Sequence, residues 1–82
     1  MSKITVLFFA SVADIVGTKQ QSREISEEAS GADLKKLLAQ DYPDLEAVLK
    51  SCRIARNQEF VPDDTVLSSG DEVAIIPPVS GG

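Results

Sequence analysis

Few residues of this chain could take part in a reaction, and the most unusual of them stand at its end. The 82-residue sequence closes on Pro77-Pro78-Val79-Ser80-Gly81-Gly82. Glycine lacks Cβ, so the main chain of Gly81-Gly82 can enter a channel too narrow for other residues. Pro77-Pro78 stiffens the base of such an arm, and residues 77–82, extended, reach about 20 Å. At the tip lies an α-carboxylate, ionised at neutral pH and therefore a poor electrophile. Chemistry there requires another enzyme to activate it, for example as an acyl-adenylate, before a nucleophile attacks. The other candidates are Cys52, the single cysteine, and the acidic pairs Glu27-Glu28, Asp63-Asp64 and Asp71-Glu72. A lone cysteine in a small domain is more often a small buried hydrophobe than a nucleophile. Nothing beside Cys52 in the sequence would lower its pKa. The acidic pairs sit among polar residues in loop-like stretches and read as solvated surface rather than acid/base couples or metal ligands.

Composition narrows the field further. There is no histidine, which removes His-based general catalysis, the usual triads and His-ligated metal. One cysteine permits neither an internal disulfide nor a CxxC site, and no G-x-G-x-x-G or Walker sequence is present. The side chains alone therefore do not make an enzyme, and a chemical role must come from the backbone, a terminus or a partner. Acidic residues outnumber basic ones 13 to 8, for a net charge of −5. That balance argues against nucleic acid, whose binders neutralise phosphates with Lys and Arg, and suits a protein partner with a basic surface. Apolar residues at 43% and charged residues at 26% are those of one globular domain. No apolar run nears the ~20 residues of a membrane helix. The start, Met1-Ser2-Lys3 followed by a short apolar run, reads as a mature cytoplasmic start rather than a secretory signal.

The elements that must position the arm follow from periodicity. Residues 3–9 are β-branched and aromatic and read as a strand. Residues 11–16 make one or two helical turns stopped by Gly17, and residues 19–25 form an edge strand. Ser30 and Asp33 make a box-like N-terminus for the main helix. Leu34, Leu37, Leu38 and Tyr42 give that helix one apolar stripe, and Pro43 ends it. Lys35-Lys36 marks its wet side. Asp44 would cap a second short helical piece carrying Leu45, Val48 and Leu49. Residues 53–56 and 59–61 are strands around an Asn57-Gln58 turn, Val66-Leu67 pack within a loop, and residues 72–76 form the last strand. Pro77-Pro78 stops it, since neither residue donates a ladder hydrogen bond.

One main helix across a mixed sheet is an α+β fold of the β-grasp kind. The domain would span residues 1–76 and the arm residues 77–82. The first and last strands are the most apolar and should lie side by side at the centre; if the first two strands form a hairpin, the sheet begins antiparallel. Ile4, Val6, Phe8, Val73 and Ile75 then face the helix. Phe9, Ile76 and Phe60 face away and form an apolar patch suited to a protein interface, unless residues 11–16 or the 62–67 loop fold over it.

Several stretches resemble the small subunit of molybdopterin synthase, a ubiquitin-like sulfur carrier family. Residues 3–18 are similar to the start of that family, and Arg56-Asn57-Gln58 with the 62–67 loop fits its middle. The string Gly70-Asp71-Glu72-Val73-Ala74-Ile75-Ile76-Pro77-Pro78-Val79-Ser80-Gly81-Gly82 is close to its C-terminus. The resemblance implies that the Gly82 carboxylate is adenylated by an ATP-dependent activating enzyme and converted, with a sulfur donor enzyme, to a thiocarboxylate. The arm (Pro77, Pro78, Val79, Ser80, Gly81) would enter the large synthase subunit and give its sulfur to cyclic pyranopterin monophosphate, building the molybdopterin dithiolene. It also implies a heterotetramer with small subunits at its ends, docked through Phe9, Phe60 and Ile76. No cofactor would be held by this chain. The residues alone leave other roles open: a carrier for thiamin-thiazole synthesis or tRNA thiolation, a ubiquitin-like modifier joined to lysines through Gly82, or a plain binding module.

Overall fold

The computed structural model describes residues 1–78; the arm residues Val79, Ser80, Gly81 and Gly82 lie outside the described residues. Five strands form one mixed sheet: β1 (Ser2–Phe8), β2 (Gln20–Ile25), β3 (Arg53–Arg56), β4 (Glu59–Val61) and β5 (Glu72–Ile76). Their order is β2-β1-β5-β3-β4. As the sequence leads one to expect, β1 and β5 lie side by side within the sheet and β1 pairs antiparallel with β2; the β1–β5 pairing is parallel. The architecture is the ubiquitin-like β-grasp, α+β.

Alternation along the strands sets the two faces. Ile4, Val6 and Phe8 from β1, Val73 and Ile75 from β5, and Ile54 from β3 are all at most 2% exposed and build the core. Helix α2 (Gly31–Asp41) closes that core with Leu34 and Leu38. Its start is held by the box read from the sequence. Ser30 Oγ accepts from the Asp33 N–H, and an Asp33 carboxylate oxygen accepts from the Ser30 N–H at 3.0 Å. The Ser30 N–H foremost, and the Ser30 hydroxyl donating to the same carboxylate oxygen at 3.2 Å, hold the Asp33 carboxyl below the usual carboxylate range. The remaining early N–H groups of the helix find carbonyls of the 62–67 loop: Gly31 donates to Thr65 O and Ala32 to Asp63 O.

Two side chains of α2 depart from the expected stripe. Leu37 is exposed, while Lys35 turns inward and donates Nζ to Cys52 O at 2.7 Å and to Asp63 at 2.8 Å. At 3.6 residues per turn the buried arc is centred on Leu34, Leu38 and Tyr42. Lys35 falls beside Tyr42 on one margin of that arc, and Leu37 lies beyond Leu34 on the other. Only Lys36 of the lysine pair faces solvent.

The smaller elements complete the core from its ends. Helix α1 (Ala10–Val16) buries Val12 and ends at Gly17, whose left-handed φ of 89° lets its N–H reach Ala13 O. A 3-10 turn (Pro43–Leu45) and α3 (Glu46–Leu49) bury Leu45 and Leu49; Asp44 provides no side-chain cap, contrary to expectation. In the loop before β5, Leu67 is fully buried but Val66 points outward, 50% exposed, because a bridge between Ser30 and Val66 turns alternate residues to opposite sides.

Candidate functional site

On the face of the sheet away from α2, four cross-strand neighbours form a row. Leu7 on β1 pairs with Ala74 on β5, Ala74 with Ala55 on β3, and Ala55 with Phe60 on β4. The two alanines are small, so the row has a low floor between taller walls. Phe9, just past the end of β1, and Ile76, the last residue of β5, join Leu7 and Phe60 around a trough of about 270 Å³. Its lining is nearly all apolar, with Glu72 and Gln58 at one end. Phe9 is 46% exposed and Phe60 53%, so the ring faces stand open to whatever covers them.

Neither segment expected as a possible cover lies here. Helix α1 buries Val12 in the core on the α2 side, and the 62–67 loop runs along the start of α2 and inserts Leu67 beneath it. The structure thus brings Phe9, Phe60 and Ile76 together, as their alternation suggests. It also adds Leu7, Ala55 and Ala74, which the same alternation assigns to this face. Phe9 itself follows β1 rather than ending it: Ala10, at φ 50°, turns the chain off the sheet immediately afterwards. Arg53 stands across from Ile76 and lays its guanidinium over Phe60, 3.8 Å from the ring centroid.

The trough adjoins the point where the C-terminal segment leaves the sheet. β5 ends at Ile76, Pro77 is half-buried, and Pro78 is exposed. The four arm residues beyond lie outside the described residues.

The remaining candidates of the sequence fall into structural roles. Cys52 is 5% exposed and donates Sγ–H to Val48 O at 3.2 Å; burial pushes its thiol pKa up. Of the acidic pairs, Glu27 and Glu28 are exposed as expected, but Asp63 holds Lys35. Asp71 is no solvated surface residue. It is 9% exposed, accepts from the Ser68 N–H at 2.8 Å and from the Asn57 amide at 3.1 Å, and lies 3.9 Å from Arg56. Asn57 also bonds the Glu72 backbone in both directions, through its own N–H and its side-chain oxygen. This clamp fixes the β3–β4 turn, where Asn57 and Gln58 both have positive φ, against the start of β5. A polar residue beside a turn glycine gives no periodic signal of burial, so the sequence alone does not reveal the buried role of Asp71.

Comparison with known proteins bears on this geometry. Residues 6–82 match the model of the ThiS family. The chain is 43% identical over 82 residues to the molybdopterin synthase sulfur carrier subunit of Chlamydomonas reinhardtii, covering 98% of this chain and 99% of that one. Its fold superimposes on the solution structure of small archaeal modifier protein 1 from Methanosarcina acetivorans with a TM-score of 0.83 at 27% identity, covering 100% of this chain and 98% of that one. It also superimposes on a chain of the complex of subunits 1 and 2 of molybdopterin-converting factor from Helicobacter pylori, with a TM-score of 0.68, 25% identity and coverage of 98% and 99%. A β-grasp body with an open apolar face, a sequence ending in Gly-Gly and a match of this extent lead to one assignment: the chain belongs to the ThiS family.

Proposed function

We propose that this chain is the sulfur carrier subunit of a molybdopterin synthase and that the Gly82 carboxylate carries the sulfur. The reading is carried by the end-to-end likeness to a sulfur carrier subunit in a chain that ends in Gly-Gly and has an open apolar trough at the end of β5. Similarity to one subunit of a two-subunit molybdopterin-converting complex supports a large subunit as the docking partner.

In this reading the activating enzyme consumes ATP. The Gly82 carboxylate attacks the α-phosphorus, pyrophosphate leaves, and an acyl-adenylate forms. Sulfur delivered at the sulfide level by a donor enzyme displaces AMP and leaves a thiocarboxylate, a soft nucleophile needing no side chain of this protein. Phe9, Phe60 and Ile76 seat the body on the large subunit, while Pro77 and Pro78 direct Val79, Ser80 and Gly81 into its channel. The carrier thus raises the effective concentration of sulfur at cyclic pyranopterin monophosphate. In each transfer the sulfur bonds to the pterin and water cleaves the acyl–sulfur bond, returning the terminus to its carboxylate form; two transfers complete the dithiolene. This chain binds no cofactor, and catalytic groups belong to its partner in a cytoplasmic heterotetramer.

Intact-mass analysis of protein isolated from its own cells, with the sulfuration machinery active, tests the reading. A fraction heavier by one oxygen-to-sulfur exchange, localised to Gly82, is expected; a wholly unmodified population under those conditions would overturn it. The likeness to a small archaeal modifier protein favours a second reading, conjugation to lysines through Gly82. Isopeptide-linked adducts in extracts, without the sulfur-bearing form, would establish that alternative.

A further inference from the structure

Arg53 differs from the other two arginines of the chain. Arg23 pairs with Asp41, and Arg56 lies 3.9 Å from Asp71. Among the described residues Arg53 has no ion pair. It is exposed, stands across from Ile76, and shares the sheet face of the trough. Its guanidinium is laid 3.8 Å over the Phe60 ring. Contact with a ring face engages none of the guanidinium N–H donors, and no hydrogen bond from them is found among the described residues, so the fork is available to a carboxylate.

Docking changes the surroundings of this cation. A partner that covers Phe60 and Ile76 also removes water from Arg53, and a desolvated guanidinium without an acceptor opposes association. The same cation facing a carboxylate steers encounter and slows dissociation. We propose that Arg53 is a specificity-determining residue of the docking face, its guanidinium donating to a carboxylate that the large subunit presents beside the apolar trough. The inference rests on the reading of this face as the docking surface.

Binding of the full chain to its own large subunit, measured over a range of salt concentrations, tests it with three variants. Arg53→Gln should weaken affinity about tenfold at low salt and flatten the salt dependence. Arg53→Lys, which keeps the charge but loses the fork, should fall between Arg53→Gln and the unaltered chain. Phe9→Ala reports on the face itself and should weaken binding without changing the salt slope. Normal binding by Arg53→Gln with weak binding by Phe9→Ala would overturn the inference and leave the docking surface standing. Weakened binding by Arg53→Gln with an unchanged salt slope would show that Arg53 only packs on Phe60, and would also overturn it. Normal binding by both Arg53→Gln and Phe9→Ala would remove the docking surface and the inference with it. Unfolding midpoints of all variants, expected to stay close to that of the unaltered chain, separate docking from folding.

Discussion

Cys52 carries the one sulfur a casual reading would assign to a sulfur carrier, and its surroundings make it a poor nucleophile. The thiol is buried, bonded to Val48 O, and held in its neutral form by desolvation. Because its pKa is raised, the thiolate is scarce at neutral pH. The stability from keeping the thiol neutral is complete below the ordinary thiol pKa and fades as pH climbs through the raised value. Alkylation of the folded protein should accordingly be slower than that of a free thiol at pH 7 to 9 and accelerate on unfolding. Cys52→Ser should leave sulfur delivery intact, which a reconstituted assay with the folded variant would check. Asp71 makes the contrasting case. Replacing it by Ala strands the Ser68 N–H and the Asn57 amide and should cost about 2 kcal/mol, read as a lower urea midpoint. The buried role of Cys52 was legible from residue type and scarcity. The inward turn of Lys35 and the burial of Asp71 were not, because each depends on a carbonyl or amide distant in sequence: Cys52 O for one, Asn57 for the other.

At the level of elements, period and turn chemistry carried most of the architecture. Strands β3, β4 and β5 lie where alternation puts them, and the Ser30–Asp33 box starts α2 as its spacing predicts. What periodicity could not supply is the pair of acceptors, Cys52 O and Asp63, that draws Lys35 inward while Leu37 faces solvent. Nor could it show that Gly31 must stay a glycine. A Cβ there would run into Ile54 Cδ1 and lie 3.1 Å from Asp63 O, where the helix start crosses the 62–67 loop. Gly31→Ala should therefore destabilise the fold by roughly 1–3 kcal/mol, despite the better helix propensity of alanine, and thermal unfolding would register it. Ser30→Ala should cost about 1 kcal/mol by removing the cap. The depressed pKa of Asp33 gives that contribution a sign with pH. The part of it that comes from the Ser30 hydroxyl donating to the Asp33 carboxylate is present above the ordinary carboxylate pKa and fades as pH falls through the lowered value, so the gap between Ser30→Ala and the unaltered chain should narrow in acid.

The whole molecule separates its duties between two faces of one sheet. The face under α2 supplies stability, and the opposite face, floored by Ala55 and Ala74, is left open next to the C-terminal segment. Ala55→Leu would fill the trough without entering the core. It should reduce affinity for the large subunit about tenfold or more while leaving the unfolding transition nearly unchanged, a pairing that calorimetry and a binding titration resolve together. That Phe9, Phe60 and Ile76 share a surface was legible from strand alternation. That nothing of the described chain covers it required the paths of α1 and of the 62–67 loop. The central claim is that sulfur travels on the main-chain carboxylate of Gly82, and one alanine appended after that residue examines it most directly. In a reconstituted system of activating enzyme, sulfur donor, large subunit and pterin substrate, with mass spectrometry confirming that the extra alanine is retained, the account predicts no dithiolene product and an unaltered unfolding curve. Product formation at the full rate by the intact extended chain would contradict it.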